Sequence, residues 1–343
     1  MVGTCTQGLD SSFVTLGYTK VALLGVVQGI TELMPISSTA HMRIVPALLG
    51  WADPGAAFSA SMQLAALAAV ISYFWGDVKS LSVGAGCALI RRDLSNRQLR
   101  LALWIALATI PIVLAGIALS PILNGCNSPL RSLNVIGASS LVMALLLALA
   151  EIMARHVRTL KDVKLTDALA IGVAQVGALI PGVSRSGSTL TAALFLGLER
   201  AEAARFSFLL GLPAIALAGG KELWELYKVH LDAHAWSVLA VGLITGSVAA
   251  FVAIWGLLHI LEKFSTWPFV VYRGLIGLLL LVGAVQPDAS QATRGSLERT
   301  PQQLFGSGVQ VSRQATDGYF SRPGTFLCCF SHGSTGAKEQ PLT

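Results

Sequence analysis

Residues 25–42 read GVVQGITELMPISSTAHM, and residues 172–189 read GVAQVGALIPGVSRSGST. Each begins G-V-x-Q, runs through apolar residues to L-x-P, and ends in a serine-rich polar stretch. The surrounding apolar stretches, 18–50 and 166–198, are too long for one helix and too short for two full spans with a turn. Each is interrupted near its middle, by PISSTAH at 35–41 and by PGVSRSG at 181–187. Proline removes a helical hydrogen bond and clashes with the preceding turn. Irregular backbone at membrane depth is tolerated only where protein or a wet cavity covers it. The two stretches are therefore expected to form re-entrant helix–loop–helix hairpins. Phe58-Ser59 follows the first and Phe206-Ser207 the second, which extends the likeness into a repeat.

The rest of the chain says what solvent surrounds these breaks. Of 343 residues, 54% are hydrophobic and 12% charged, about half the charge of an ordinary soluble domain. Mean hydropathy is +0.67, so a soluble enzyme, a disordered chain and a collagen-like chain are all excluded. Six further segments are apolar enough to be expected as spans: 58–75, 101–120, 132–150, 206–220, 237–258 and 268–286. The expected fold class is an all-α integral membrane protein, six transmembrane helices plus two re-entrant hairpins in an inverted-topology repeat. The first repeat covers about 18–150 and the second about 166–286, with 1–17 as an N-terminal segment.

Charge position supplies an orientation. Lys79, Arg91, Arg92, Arg97 and Arg100 fall in the expected loop 76–100, and Arg155, Arg158, Lys161 and Lys164 in 151–165. Basic loops stay in the cytoplasm, so 121–131, with Arg131 alone, faces outward. On that reading the first hairpin enters from outside and the second from the cytoplasm, which places a shared site near the midplane. A net charge of +6 could suggest nucleic acid, but no basic stripe with interleaved aromatics is present, and no nucleic-acid partner is expected. Cys5, Cys87, Cys126, Cys328 and Cys329 have neither metal-ligand nor redox spacing. No basic region precedes an apolar stretch at the N-terminus, so no cleaved signal is expected. Residues 287–343 carry five basic and four acidic side chains among Ser, Gly, Gln and Thr, and read as a disordered tail. Its FLCCF patch at 326–330 is either inert or a lipidation or membrane-contact site.

Ionisable groups kept in an apolar setting are functional candidates. Gln28 and Glu32 share a helix face one turn apart. They could hold a divalent cation, Mg²⁺ or Ca²⁺, or simply bond a neighbouring helix. Ser37, Ser38 and Thr39 could cap a helix or face a substrate. His41 could be an acid, base or nucleophile, or a structural histidine. In the second break, Ser184, Arg185, Ser186 and Gly187 precede a helix start, whose N–H groups and dipole favour an anion. Arg185 would add a planar guanidinium suited to phosphate, unless it merely pairs with Glu32. No G-x-x-x-x-G-K-[ST] loop occurs, so nucleotide-driven chemistry is not expected.

GVVQGITELMPISSTAH at 25–41 and PGVSRSGSTLTAALFLGLERAEAARFSFLLGLPAI at 181–215 strongly resemble the two signatures of the bacterial undecaprenyl-diphosphatase family, the bacitracin-resistance type. The resemblance covers about 18–286. It implies hydrolysis of undecaprenyl diphosphate to the monophosphate, which recycles the lipid carrier for cell-wall synthesis. It also implies a multi-pass protein of the bacterial plasma (inner) membrane, with its site opening toward the outer face. Implied partners are a polyprenyl diphosphate and membrane lipids, and a homodimer is compatible with it. By position, Gln28 and Glu32 match the family's (E/Q)-x-x-x-E element, Ser38 and His41 its PxSST-x-H element, and Arg185 its PGxSRSG element. The catalytic set so implied is Glu32, Ser38, His41 and Arg185; Ser37, Thr39, Ser184, Ser186 and Gly187 would contact substrate, and Glu32 with Gln28 the metal. Gln28 stands where many members have Glu, and Ser59 where some have an acid. The attacking group remains open between Ser38, His41 and water. A transporter or flippase for a lipid phosphate or another anion is the rival reading, because half-helices at the midplane serve transport too.

Overall fold

The computed structural model describes residues 13–123 and 132–283. They are all-helical: no strand forms among them, only one isolated bridge between Arg158 and Leu198. The expectations for the 121–131 loop with Arg131, the tail with FLCCF, and Cys5, Cys126, Cys328 and Cys329 lie outside the described residues, apart from the loop's first three positions.

The two interrupted stretches each give helix, break, helix. Helix α1 (Phe13–Leu33) is followed by α2 (Ser38–Leu48). Helix α8 (Leu165–Val176) is followed, after a 3-10 turn at Gly177–Leu179, by α9 (Arg185–Phe195). The first helix begins five residues before the expected boundary at 18 and is kinked at Gly17, whose φ is 70°. At 21 residues it is long enough to cross a membrane unaided, whereas α8 has only 12.

Between these units the chain departs from expectation at 58–100. The anticipated span 58–75 is divided into α3 (Ala56–Ser61) and α4 (Gln63–Tyr73). The anticipated loop 76–100 is mostly helix: α5 (Trp75–Ile90) turns 82° from α4 at Phe74. Its charges are Asp77 and Lys79 alone, so most of this helix is apolar and favours a packed or lipid-covered helix over a solvated loop. Only 91–96 remain to link it to α6 (Arg97–Leu123), and α7 (Leu133–Met153) follows. The short segment 206–220 lies inside the 29-residue α10 (Arg200–Lys228), and 237–258 inside α11 (Ala233–Lys263). The last helix, α12 (Trp267–Leu281), is 15 residues long. Five described helices are long and apolar enough to cross a membrane, or six if α3–α4 and α5 count as one bent span.

Side-chain burial shows why the chain needs lipid. On α6, Leu103, Leu107, Ile110, Leu114 and Ile117 recur at helical spacing and are all exposed. Val248, Val252 and Trp255 do the same on α11. Stripes of this size would be unstable in water. The opposite faces pack closely. Gly25 and Gly29 of α1 meet Gly242 and Gly246 of α11 so tightly that a Cβ at Gly29 would stand 2.2 Å from the Gly246 carbonyl oxygen. In the other half, α8 packs on α6 in the same manner, with Gly172 against the Ala108 backbone. Each half therefore lends its broken unit to a long helix of the other, which brings the two breaks together.

Candidate active site

The two breaks are built alike. Gln28 stands nine residues before Ser37, and Gln175 nine before Ser184. Both serines are N-caps in the left-handed region, with φ of 71° and 70°. Each hydroxyl accepts a hydrogen bond three residues on, from Ala40 N at 3.4 Å and from Gly187 N at 3.2 Å. A non-glycine residue there costs on the order of 1–3 kcal/mol, a strain that tends to collect at functional sites. The residue after each serine opens a helix, so both breaks present free backbone N–H groups and the positive end of a helix dipole.

The chemistry placed on them differs. Glu32, 6% exposed, lies in the last turn of α1. Its Oε2 accepts from Ser38 Oγ at 2.7 Å and from Gln28 Nε2 at 3.0 Å. Its Oε1 lies 3.4 Å from Arg185 Nη2, across 153 residues of sequence. Glu32, Ser38, Gln28 and Arg185 thus form one linked cluster. Arg185 is held weakly, because its Nε and Nη1 are buried and have no partner. Space for it comes from Gly211 of α10, where a Cβ would fall 1.8 Å from Nη1.

His41 is oriented elsewhere. Its Nδ1 lies 2.8 Å from the Ser37 carbonyl and its Nε2 lies 2.7 Å from the Tyr272 hydroxyl, with the two rings stacked. A carbonyl only accepts, so Nδ1 carries the proton and Nε2 accepts from Tyr272. No bond joins His41 to Ser38 or Glu32. Thr39 is exposed. Ser186 is turned inward, donating to the Met34 carbonyl at 3.0 Å and lying 3.1 Å from that of Glu32. It joins one break to the other, as a staple does.

Sequence reasoning missed the strongest such tie. Arg273 of α12 is 1% exposed. Its Nη1 donates to Pro35 O in the first break at 2.9 Å, and its Nη2 to Val183 O at 2.5 Å and to Gly182 O in the second. Its Nε reaches Ser140 O at 3.2 Å. Gly187 admits it, since a Cβ there would stand 2.7 Å from Nη1. The signal was available: Arg273 is a charge inside the expected span 268–286, and the rule applied to Glu32 and Arg185 applies equally to it. Nothing in the sequence singles out Tyr272.

For a divalent cation, the donors at hand are the Glu32 carboxylate and Gln28 Oε1, a buried amide oxygen with no partner. No group of three or more His, Cys, Asp or Glu side chains able to hold a metal occurs among the described residues. One carboxylate and one amide fit Mg²⁺ when substrate phosphates complete its shell.

The bacitracin resistance protein BacA family matches residues 21–279. The chain is 75% identical over 257 residues to undecaprenyl-diphosphatase 2 of Mesorhizobium japonicum, covering 75% of this chain and 97% of that protein. It is 51% identical to undecaprenyl-diphosphatase of Gloeobacter violaceus, over 78% of this chain and 91% of the relative. The Trichormus variabilis undecaprenyl-diphosphatase is 48% identical over 79% of this chain and 85% of its own length.

Proposed function

The chain belongs to the bacitracin resistance protein BacA family, and on that premise we propose that its two breaks hydrolyse undecaprenyl diphosphate to undecaprenyl phosphate and inorganic phosphate. The reaction returns the lipid carrier to cell-wall synthesis and underlies bacitracin resistance. The observation that carries the reading is Arg185, whose Nε and Nη1 are buried without partners beside a hydrogen-bonded carboxylate and hydroxyl. An unsatisfied buried guanidinium is costly, and the terminal phosphate of the substrate supplies the oxygens it lacks.

Arg185 and the N–H groups at the starts of α2 and α9 bind and neutralise the terminal phosphate. Positioning and positive charge do most of the work in phosphoryl transfer. Ser38 is the nucleophile and Glu32 its base, because that pair is at hydrogen-bond distance. Ser38 Oγ bonds to the terminal phosphorus as its proton passes to Glu32, and the bridging P–O bond breaks to release undecaprenyl phosphate. Water then cleaves the phosphoserine, and Glu32 returns the proton to Ser38. His41, its Nδ1–H held by the Ser37 carbonyl, keeps Nε2 as the acceptor that orients the Tyr272 hydroxyl beside the first break. Ser37 and Ser184 shape the two helix starts, Thr39 faces the incoming headgroup, and Ser186 and Gly187 keep the second break against the first. Gln28 and Glu32 would hold Mg²⁺ or Ca²⁺, which supplies charge neutralisation to the phosphates when bound.

The same reading places the chain in the plasma membrane, with residues 91–97 and 155–164 in the cytoplasm and the breaks opening outward. With α3–α4/α5 taken as one bent span, the six spans are that pair together with α6, α7, α10, α11 and α12, and the broken units α1–α2 and α8–α9 are inversely oriented re-entrant elements. The exchanged packing of α1 on α11 and α8 on α6 supports this arrangement, as does the reciprocal contact of Gly137 and Gly277 between α7 and α12. In a variant without native cysteines, Ser95→Cys should be labelled only from the cytoplasmic side and His230→Cys only from outside.

Purified protein in detergent tests the activity directly. Phosphate release from undecaprenyl diphosphate, with no sealed vesicle present, is expected. Binding without release, together with transport in liposomes, would replace the hydrolase by a carrier.

A further inference from the structure

The breaks occupy one end of α9, and a cavity lies near the other. The helix runs 11 residues from Arg185 to Phe195, about 16 Å at 1.5 Å per residue. Just beyond it, Leu198 bridges to Arg158. Arg158 lines a cavity of 780 Å³ together with Arg97, Arg100, Lys161 and Lys164, and Asp162 and Asp167 are the only acids on its wall.

Both acids are already engaged. Asp162 Oδ2 accepts from Thr159 N and Thr159 Oγ1, each at 2.9 Å. Those two bonds hold its carboxyl below the usual aspartate range, so it stays an anion committed to its own turn. Asp167 accepts from Lys164 N at 2.9 Å and from Arg158. Arg158 is spent on Asp167 and on the carbonyls of Leu196 and Asp162. Arg100 lies over the Trp104 ring at 5.1 Å, one turn into α6. Lys161 and Lys164 make no ion pair among the described residues. Of the three acids in the adjoining cavity, Asp77 binds Arg205 and Glu202 accepts from Leu160 N; counting Glu199 with Asp162 and Asp167 still leaves five cations against three acids. Beneath these cations the floor is apolar: Leu101, Leu160 and buried Val163 beside Trp104.

We propose that this pocket binds a phosphate anion, the chemistry shared by an anionic phospholipid headgroup and a free phosphate. Excess cations over an apolar floor, with an aromatic one turn inside the helix, match what an interfacial phosphate requires. A lipid uses the floor as well as the charges. The inference is independent of the reaction at the breaks.

The test uses the full chain in nanodiscs of phosphatidylcholine with increasing phosphatidylglycerol, and counts bound phosphatidylglycerol by native mass spectrometry. The variant Arg100→Gln/Lys161→Gln/Lys164→Gln is compared with Lys20→Gln/Lys221→Gln/Lys228→Gln, which removes equal charge elsewhere. About fivefold per cation near an anionic surface predicts about a hundredfold weaker binding for the pocket variant, and little change for the control. Competition by millimolar inorganic phosphate would identify free phosphate as the ligand, and its absence the lipid headgroup. Equal losses in the two variants, or no loss in either, would overturn the proposal. Unchanged elution and unfolding temperature in pure phosphatidylcholine verify folding. If the triple variant fails that check, Lys161→Gln alone should still lose about fivefold.

Discussion

The first and second breaks share one backbone and divide the chemistry. Gln28 and Gln175, and the strained Ser37 and Ser184, occupy matching places at the same separation. At the position of Glu32 the second unit has Leu179, at Ser38 it has Arg185, and at His41 it has Ser188. The first break therefore carries an acid, a hydroxyl and an imidazole, and the second a cation. Gln28 shows what its counterpart has lost: it donates to Glu32, whereas both amide atoms of the fully buried Gln175 lack partners. A duplicated scaffold supplies two helix starts aimed at one place, and only one copy of each reactive group is needed there.

The largest way to break this division of labour is to remove the cation. Arg185→Ala should lower phosphate release from undecaprenyl diphosphate by about 10³-fold or more, the scale seen when an arginine stabilising a phosphoryl transition state is lost. Wild-type turnover in a folded variant would reassign the second break to structure. Glu32→Gln keeps the side chain's shape but removes the base, and about 10²–10⁴-fold is expected from kcat. A smaller effect of Ser38→Ala than of Glu32→Gln would favour direct attack by water.

Arg273 ties the two breaks together, so Arg273→Met should act on both at once. Four carbonyls would lose a charged donor, and a fall in stability of about 3 kcal/mol or more is expected from thermal unfolding in detergent. The hydroxyl of Tyr272 serves only the first break. Tyr272→Phe retains the ring stacking, and kcat should fall about fivefold, the worth of one hydrogen bond. Gln175→Leu sharpens the comparison from the other side. It removes two unsatisfied polar atoms, so activity should hold and stability rise by up to about 1 kcal/mol. Gln28→Leu, at the matching place, should instead cost activity.

Much of this protein is legible in its sequence because lipid imposes local rules. Scarce charge, apolar runs and two proline-containing interruptions are enough to indicate helices in a membrane with two breaks. Glu32 and Arg185 stand out by the cost of keeping them there. Gln28 and Pro35 are seven residues apart but Gln175 and Pro181 six, so the prolines align one residue out of register; the N-cap roles of Ser37 and Ser184, each nine residues from its glutamine, identify the matching positions. Local patterning also misread 58–100, because an 82° bend at Phe74 leaves no mark in composition.

Tertiary structure alone decided which groups meet. That Glu32 lies against Ser38 and Arg185, that His41 turns to Tyr272, and that Arg273 reaches both breaks depend on α1 seating on α11 and α8 on α6. Periodicity and hydropathy are properties of neighbouring residues. Pairings across 153 or 231 residues arise from close helix packing, which no local stretch encodes by itself.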